Sequence, residues 1–470
     1  MSALFLRGLG LIYLAAFVSL ALQVRGLVGA QGILPLEEYL AAAHAGWGTD
    51  AYWRLPSVFW LNASDAALTA GAVAGIALAL LLTFGIAQRL ALVGLVVLYL
   101  SFVYAGQMFF TYQWDMLLVE AGFLAIFLTG GSRSVVWLYR LLLLRFLFLA
   151  GLVKLASGDA TWQQLTALDY HFWTQPLPSP LAFYAAQLPH WMLSAATAAA
   201  LIIELVAVAL IFLPRRPRML AAALVIAFQI GIMLTGSYNW FNLLTVLLCL
   251  FLFDDQALRR VLPNSLAARL TRSWPRPGYV AASLATALAL VVVPIGLNLV
   301  YAPLAGRNLP IAGAMTEALV PLLIVNPYGL FATTTTTRPV LVIEGSDDNR
   351  TWHEYALPYL PGPVARAPTW SIPYQPRLDW QLWLAAYGGA GQQPWIERLL
   401  RRLLEGSPAV LALFAEEPFG ERAPKYVRAL LYEYHFADAR SADWWVRRLA
   451  GTYYPAVSLS DLQPPRPPSP

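Results

Sequence analysis

Apolar residues dominate long stretches of the first 301 positions, and short polar segments separate them. A helix needs about 20 apolar residues to cross the hydrocarbon core of a bilayer. The pattern predicts nine membrane-spanning helices, with eight or ten as the nearest alternatives, at 3–24, 66–86, 90–110, 116–130, 135–156, 191–213, 218–234, 240–253 and 279–301. The runs 116–130 and 240–253 are short, so we expect them to be tilted or re-entrant.

The pattern changes after residue 301, where proline and glycine interrupt the apolar runs and charged residues become frequent. Residues 302–338 are predicted to be a connector with an interfacial helix at 315–325. Residues 339–462 mix strand-like and helix-like periodicity, which indicates an α+β domain. Strands are predicted at 338–345, 352–359 and 425–436, a helix at 395–405, and a second helix from Ser407. We expect the Pro-rich end, 463–470, to be disordered.

The composition supports a membrane protein and excludes several other classes. The 470 residues are 59% hydrophobic and 12% charged, whereas soluble domains have roughly 45–50% apolar and about 25% charged residues. The formal net charge is +5, but the arginines lie in short loops, so membrane orientation explains them better than nucleic-acid binding. Cys249 is the single cysteine, which excludes an intramolecular disulfide, a CxxC redox centre and a cysteine-based zinc site.

The charged residues in the loops predict how the helices are oriented. With the amino terminus in the cytoplasm, the inner segments carry eleven arginines and the short outer segments carry two, as the positive-inside rule requires. The inner ones are Arg7, Arg89, Arg133, Arg215, Arg216, Arg218, Arg259, Arg260, Arg269, Arg272 and Arg276, and the outer ones are Arg25 and Arg54. The predicted fold is therefore a multi-pass α-helical membrane bundle, residues 1–301, with a C-terminal α+β domain outside the cytoplasm.

Ionisable side chains within the predicted spans are candidates for function, because a charge at membrane depth costs about 2.5–3.5 kcal/mol and persists only when it is paired or used. Arg145 lies about 15 Å from the inner end of its span and Glu204 about 13.5 Å from the inner end of the next one, so we predict that they pair. Lys154, Glu120 and Asp115 are predicted to form a second cluster near the outer end. The alternative for Lys154 is an anchor that reaches the membrane interface.

A polar, aromatic loop follows the fifth predicted span. Its motif residues are Asp159, Trp162, Asp169 and Tyr170, and His171 follows directly. Lys154 and His171 are candidates for proton transfer, with Glu120 and Asp115 beside them, because desolvation can bring a lysine towards a neutral pKa. The alternative is an interfacial belt, since Trp and Tyr gather where the membrane meets water. The five histidines are too dispersed for metal ligation, and we expect neither a metal nor a cofactor.

Seven tryptophans follow residue 338. Core packing explains most of them, but faces rich in Trp and Tyr also form contacts between proteins. Trp352, Trp380 and Trp383 are therefore candidates for contact with a client protein.

Several long segments resemble the lipase maturation factor family. They are YQWDMLLVEAGFLAIF, KLASGDATWQQLTALDYHFWTQPLP, LTGSYNWFNLLTVLLCLFLFDD, VNPYGLFATTTTTRPVLVIEGSDDNRTWHEY, QPRLDWQLW and GSPAVLALFAEEPF. The resemblance implies a multi-pass membrane protein that helps secreted lipases fold and assemble into dimers. In eukaryotic members it implies the endoplasmic reticulum membrane, with the C-terminal domain in the lumen and in contact with clients. The Ala-, Arg- and Pro-rich composition suggests a bacterial member in the cytoplasmic membrane, whose lipase-like client is unknown.

A shorter segment supports an alternative. FLAGLVKL, followed by Trp162, is similar to the membrane segment of vitamin K-dependent carboxylase-like proteins, in which the lysine of an AGxxKL motif acts as a base, and Lys154 occupies that position. This resemblance implies an integral-membrane enzyme that acts on a quinone or a lipid. The favoured hypothesis is a membrane-anchored folding and maturation factor without catalytic residues, and the alternative is such an enzyme with Lys154 as its base.

Overall fold

The computed structural model describes residues 1–128, 132–261, 279–420 and 422–462. Within these ranges, nine principal helices form a bundle. They are α1 (Ser2–Ala21), α2 (Asp65–Phe84), α3 (Gln88–Ala105), α4 (Gln113–Leu128), α5 (Arg133–Ala156), α6 (His190–Leu205), α7 (Arg215–Thr235), α8 (Phe241–Leu248) and α9 (Tyr279–Ala305). Each corresponds to one predicted apolar run. The predicted class of a multi-pass helical membrane protein is confirmed.

Seven helices in the described ranges are long and apolar enough to cross a membrane. The other two bundle helices, α4 and α8, are short, with 16 and 8 residues. α6 and α8 each continue as a tighter 3-10 helix, through Ala207–Phe212 and Cys249–Leu252 respectively. A 3-10 helix rises about 2.0 Å per residue, against about 1.5 Å for an α-helix. Each extension is therefore longer than an α-helical segment with the same number of residues.

Helices α1 and α2 approach each other closely, and glycine permits the contact. A Cβ on Gly10 would lie 2.7 Å from the backbone nitrogen of Thr83, a distance that real Cβ atoms do not reach. α2 begins after Ser64, whose hydroxyl accepts a hydrogen bond from the Ala67 amide, and it ends at Gly85 with a left-handed φ of +80°. Serine satisfies a free amide at the start, and glycine tolerates the positive φ at the end.

The two ends of the bundle differ. At one end, called the domain end because the C-terminal domain lies there, short helices join the long ones: Val24–Val28, Leu36–Trp47, Ala51–Arg54, Ala160–Gln163, Ala167–Thr174, Pro180–Ala185 and Pro310–Leu319. At the opposite, basic end, Arg215 pairs with Asp254, and the amino group of Met1 pairs with Asp255 at 2.9 Å. Arg218 also donates to a main-chain carbonyl there, and Asp255–Val261 forms a short helix.

The C-terminal domain, in its described part, contains a four-stranded antiparallel sheet in the order β2–β1–β3–β4. The strands are β1 (Pro339–Ser346), β2 (His353–Glu354), β3 (Tyr426–Phe436) and β4 (Trp445–Val457), and the helices are α10 (Arg377–Ala385), α11 (Pro394–Leu404) and Pro408–Leu411. The strands predicted at 338–345 and 425–436 and the helix at 395–405 are confirmed. The strand predicted at 352–359 is much shorter, because it pairs with β1 only through His353 and Glu354, and the carbonyl of Ala356 already accepts from the Ala415 amide instead.

The sequence does not predict β4, and its register explains why. The pairing of β4 with β3 is regular over Trp445–Leu449 and then shifts three times before Val457. Each shift breaks the alternation of side chains between the two faces of the sheet, so the period of two that reveals a strand is lost. The Pro-rich end, 463–470, and the arginines at 269, 272 and 276 lie outside the described residues.

Candidate functional site

Glu120 of α4 and Arg145 of α5 form an ion pair deep inside the bundle. Arg145 Nη2 contacts Glu120 Oε1, and the two side chains are 1% and 0% exposed, respectively. The other carboxylate oxygen accepts hydrogen bonds from the Tyr328 hydroxyl at 2.8 Å and from the main-chain and side-chain amides of Asn326 at 3.1 and 3.2 Å. A buried carboxylate needs such donors, and here they tie the connector to α4 and α5.

Lys154 of α5 and Glu204 of α6 form a second buried pair. Lys154 Nζ donates to both carboxylate oxygens of Glu204 at 2.8 and 2.7 Å and to the Ala150 carbonyl at 3.2 Å, which uses all three ammonium protons. Gly151 permits the close approach of the helices, since a Cβ there would lie 2.9 Å from Glu204 Cβ. The Trp162 ring covers the ammonium, with its centroid 5.2 Å away, within the range of a cation–π contact.

The partners of these charges correct the prediction. The sequence predicts Arg145 with Glu204 and Lys154 with Glu120, whereas the structure exchanges the two acids. One reason is that α4 begins at Gln113, earlier than predicted, so Glu120 lies about 10 Å from that helix end. The other is that side chains tilt towards the amino end of their helix. Because α5 and α6 run in opposite directions, Lys154 reaches towards the basic end and Glu204 towards the domain end, and they meet.

A third buried pair joins the bundle to the C-terminal domain. Asp115 of α4 accepts two hydrogen bonds from Arg377 of α10, at 2.8 and 3.0 Å, and the side chains are 0% and 1% exposed. The Tyr99 hydroxyl donates to the same carboxylate at 2.5 Å, and Arg377 also donates to the Phe109 carbonyl at 2.8 Å. Asp115 therefore does not join Lys154 as predicted, because it faces the docked domain.

Polar contacts from α1 strengthen the same junction. The Ser19 hydroxyl accepts a hydrogen bond from the Gln375 amide at 3.0 Å, and the Gln23 side-chain amide donates to the Gln375 carbonyl at 2.8 Å. The Gln23 side-chain oxygen accepts from the Arg377 amide at 2.9 Å. These residues are buried, so moving the domain would break several buried hydrogen bonds at once, which favours one relative arrangement. The C-terminal domain is thus held on the bundle in a defined orientation.

Two of the predicted client-contact tryptophans lie in this junction. Trp380 is 5% exposed, and its ring centroid lies 4.7 Å from that of Trp114. Trp383 is half-buried, and its indole N–H donates to the Thr174 carbonyl at 3.1 Å. The two residues follow Arg377 at spacings of three on α10, so they share the helix face that is anchored to the bundle. Burial makes Trp380 inaccessible to a client, which corrects the prediction for that residue, whereas contact between the half-buried Trp383 and a client stays a prediction.

Trp352, the third candidate, has a different environment. It is half-buried on the sheet and covered by Arg428, whose guanidinium carbon lies 4.0 Å from the ring centroid. Contact between Trp352 and a client remains a prediction.

His171 lies in the loop between α5 and α6. Its Nε2 is 3.3 Å from the Tyr238 hydroxyl, and its ring centroid is 4.9 Å from that of Phe331. Desolvation, followed by the positive charge of Lys154, lowers the pKa of His171 to about 4. The imidazole is therefore neutral at physiological pH. The lysine directs its protons to Glu204 and a main-chain carbonyl, so no hydrogen bond joins the two candidate proton-transfer residues.

The other motif residues of this loop have structural partners. The carboxylate of Asp159 accepts hydrogen bonds from the amide two residues ahead at 2.8 Å, which caps a short helix, and from the Thr334 amide at 3.1 Å. Asp169 pairs with His190 at 2.9 Å. Tyr170 is half-buried, and its ring lies 6.4 Å from the neighbouring Trp173. Across the described ranges, no three His, Cys, Asp or Glu side chains come close enough to hold a metal ion.

Arg338 is an important residue that sequence reasoning misses. Its buried guanidinium donates to the carbonyls of Trp173 at 2.9 Å, Pro176 at 2.8 Å and Gln175. Desolvation lowers the pKa of Arg338 to about 10. The residue fastens the loop between α5 and α6 to the start of β1. An arginine directly before an apolar strand was the available signal, but the sequence gives no indication of its main-chain partners.

A groove and an aromatic surface are open to solvent at the domain end. The groove has a volume of about 440 Å³ and lies between the helix Leu36–Trp47 and α11. An ion pair between Glu38 and Arg398, at 2.8 Å, spans it. Near the same helix, Trp47, Tyr52 and Trp53 are 46%, 50% and 53% exposed. These surfaces are accessible to a partner, unlike the junction around α10.

Known proteins match both parts of this architecture. Residues 1–260 match a family model described as "Lipase maturation factor transmembrane domain", and residues 324–455 match "Lipase maturation factor C-terminal domain". The chain is 32% identical to lipase maturation factor 1 of Bos taurus, over 97% of this chain and 89% of that protein. It is 33% identical to lipase maturation factor 2 of Mus musculus, over 97% of this chain and 83% of that protein.

No solved structure gives a significant match. The two family models together cover most of the bundle and the sheet domain, which are the two units that the buried Asp115–Arg377 pair joins. The alignments with these two relatives cover 97% of this chain, so they extend across both units that the junction joins. The chain belongs to the lipase maturation factor family.

Proposed function

We propose that this protein is a membrane-anchored maturation factor that assists the folding or assembly of secreted lipase-like proteins. The observation that carries the proposal is its similarity, over 97% of the chain, to proteins named lipase maturation factors. The junction at Asp115 and Arg377 supports it, because a domain held by buried contacts presents its free surface at a fixed place beside the membrane. Such a platform suits transient binding of clients that expose apolar surface.

We also propose that the domain end faces away from the cytoplasm. The arginines at the basic end support this orientation through the positive-inside rule. In a bacterium the domain would then lie in the periplasm, and in eukaryotic members in the lumen of the endoplasmic reticulum. Alkaline phosphatase fused to the carboxyl end should be active and green fluorescent protein fused there should be dark. The opposite pattern would overturn the orientation and, with it, direct contact with secreted clients.

The geometry around Lys154 supports a structural role more than a catalytic one. A general base needs a free lone pair, whereas Lys154 donates three hydrogen bonds and faces the carboxylate of Glu204. The comparisons give the carboxylase-like alternative no support. Lys154→Arg keeps the positive charge, but a guanidinium does not lose its proton in proteins and so cannot act as a base. If Lys154 has a structural role, this variant should retain lipase maturation. If it folds normally and yet abolishes maturation, the enzyme hypothesis is favoured.

The test of the proposed function is a deletion strain that secretes a reporter lipase. We expect the specific activity of the secreted lipase, measured per unit of lipase protein, to fall several-fold in the deletion strain and to return with the wild-type gene. Velocity sedimentation of the lipase should show a shift from dimers to aggregates. Secreted alkaline phosphatase serves as a client-independent control. Unchanged specific activity of every secreted lipase in the deletion strain would refute the proposal.

A matched pair of variants tests whether the docked domain is required. Arg377→Glu places a second negative charge beside Asp115 and should separate the domain from the bundle. Arg440→Glu makes the same change in charge at an exposed position of the same domain. At equal abundance, Arg377→Glu should lose lipase maturation and Arg440→Glu should retain it. Equal maturation by both variants would show that docking is not needed.

A further inference from the structure

We infer that the free edge of β4 is a docking strand, to which an extended segment of the client adds as a further strand of the sheet. This inference rests on the proposed function, because it names the surface that would hold the client. An edge strand carries unpaired main-chain N–H and C=O groups, which are a template for another extended chain. The partner is therefore a β-strand that has not yet found its own sheet, as in an unassembled β-rich secreted domain.

The position of β4 supports this inference. β4 has 13 residues and is the last strand in the sheet order, so only β3 pairs with it among the described strands. The main-chain amide of Trp445 faces away from β3 and donates to the Val364 carbonyl at 3.1 Å, so the edge is covered at that residue and is open only beyond it. Main-chain groups alternate in direction along an antiparallel strand. Those of Arg447 and Leu449 therefore also point to the open side.

The exposed side chains favour an apolar, extended partner. Val446 and Leu449 are 56% and 54% exposed, so each strand face of this edge carries an unprotected apolar group. Folded proteins normally protect an edge with bulges, proline or charge. Here the three register shifts and Pro455 all lie beyond Leu449. The regular segment Trp445–Leu449 keeps only one strongly exposed charge, Arg448, whose side chain is 80% exposed.

An aromatic surface continues from this edge. The ring of Trp444 lies 6.2 Å from that of Tyr184, which is 57% exposed. An added strand would therefore meet an aromatic side chain of the loop between α5 and α6 as well as the main chain of β4. Main-chain pairing tolerates many sequences, which suits a factor that must accept a strand before the client is folded.

Site-specific photocrosslinking tests the position of the client. Benzoylphenylalanine is placed at Val446 and, as a matched control in the same domain, at Leu384, which is 42% exposed on α10. In cells that secrete the reporter lipase, we expect a lipase adduct at Val446 and none at Leu384. An adduct between two copies of this chain at Val446 would overturn the inference in favour of self-pairing. Equal lipase adducts at both positions, or none at either, would also overturn it.

A peptide experiment tests main-chain pairing directly. The probe is a short fluorescent peptide of alternating valine and threonine, and its control is the same peptide with N-methylated amides, which keeps the side chains but cannot donate. The purified full chain in detergent should bind the first peptide and not the second. The double variant Val446→Lys/Leu449→Lys should lose binding, whereas Leu384→Lys should keep it. Equal binding of the N-methylated peptide would refute strand addition.

The double variant also separates this inference from the proposed function. If deletion of the whole gene lowers lipase specific activity and the Val446→Lys/Leu449→Lys chain restores it fully at normal abundance, the docking strand is wrong and the maturation function stands. If deletion has no effect on any lipase, the maturation function itself is wrong. We expect the double variant to restore lipase activity several-fold less than Leu384→Lys.

Discussion

The protein uses ion pairs in two different settings. Three are buried, with side-chain exposures of 0–7%: Glu120–Arg145, Glu204–Lys154 and Asp115–Arg377. Three others lie across the sheet, with exposures of 9–80%: Glu344–Arg428, Glu354–Arg447 and Glu433–Arg448. Water screens the second set, so each pair is worth little, whereas removing one partner of a buried pair leaves an uncompensated charge. The burial of an ion pair, more than the residue types that form it, therefore decides how much its loss lowers the free energy of unfolding.

The largest effect is expected from Arg145→Met, which leaves Glu120 buried without its cation. Breaking a buried pair in this way lowers the free energy of unfolding by about 3–5 kcal/mol. Unfolding by titration with sodium dodecyl sulfate in mixed micelles, followed by tryptophan fluorescence, measures the change. The double variant Glu120→Gln/Arg145→Met removes both charges and should recover part of the loss. An unaltered transition in the single variant would contradict the comparison.

A smaller effect on global stability is expected from Arg377→Met. The domain can separate from the bundle and expose Asp115 to water, so Asp115 need not stay buried without its cation and the loss stays below the about 3–5 kcal/mol of a broken buried pair. Separation should expose the connector to protease. We expect cleavage within 302–338 to become faster in the variant while the bundle fragment stays folded. Cleavage at the wild-type rate would mean that other contacts suffice to hold the domain.

A pH effect is expected from His171. The folded state binds a proton at this residue only near pH 4, whereas the unfolded state does so near pH 6.5. As the pH falls from about 6.5 to about 4, the unfolded state takes up the proton first, so the free energy of unfolding decreases across that window. Replacing His171 with Asn should flatten this dependence in unfolding titrations at different pH. An equally steep dependence on pH in the His171→Asn variant would contradict this assignment.

The smallest effect is expected from Arg448→Ala on the sheet. The pair with Glu433 is mostly solvated, and such pairs contribute about 0–1 kcal/mol. The same unfolding titration should place this variant within that range of the wild type. Loss of stability equal to that of Arg145→Met would show that exposure does not separate the two classes of ion pair.

Hydrophobic patterning was sufficient to locate the bundle helices, because each span must bury or expose to lipid about 20 apolar residues. It was not sufficient to pair their charges. The depth of Glu120 depends on where α4 begins, and the meeting of Lys154 with Glu204 depends on a close helix contact at Gly151. Apolar runs do not encode which helices are neighbours. Depth along one helix therefore identified which residues need partners, but it could not identify the partners.

The C-terminal domain shows the same division. β1 and β3 have strand-like runs of apolar residues and were predicted, whereas the shifted register of β4 hides its period. Arg377 lies in the segment QPRLDWQLW, but no role could be given to it, since its partner Asp115 is 262 positions away in the sequence. Long-range polar contacts of this kind leave no local pattern. They become visible only when the domain is seen on the bundle.

The contact between Ser19 and Gln375 spans 356 positions, and this separation matters for biosynthesis. α1 is inserted into the membrane while most of the chain is still untranslated, so Ser19 and Gln23 must wait for their partners until the ribosome has passed residue 375. Until then the polar side chains at the end of α1 lack their hydrogen-bond partners in the C-terminal domain. The protein therefore completes its own structure only near the end of translation, and truncated products are expected to be substrates for membrane quality control.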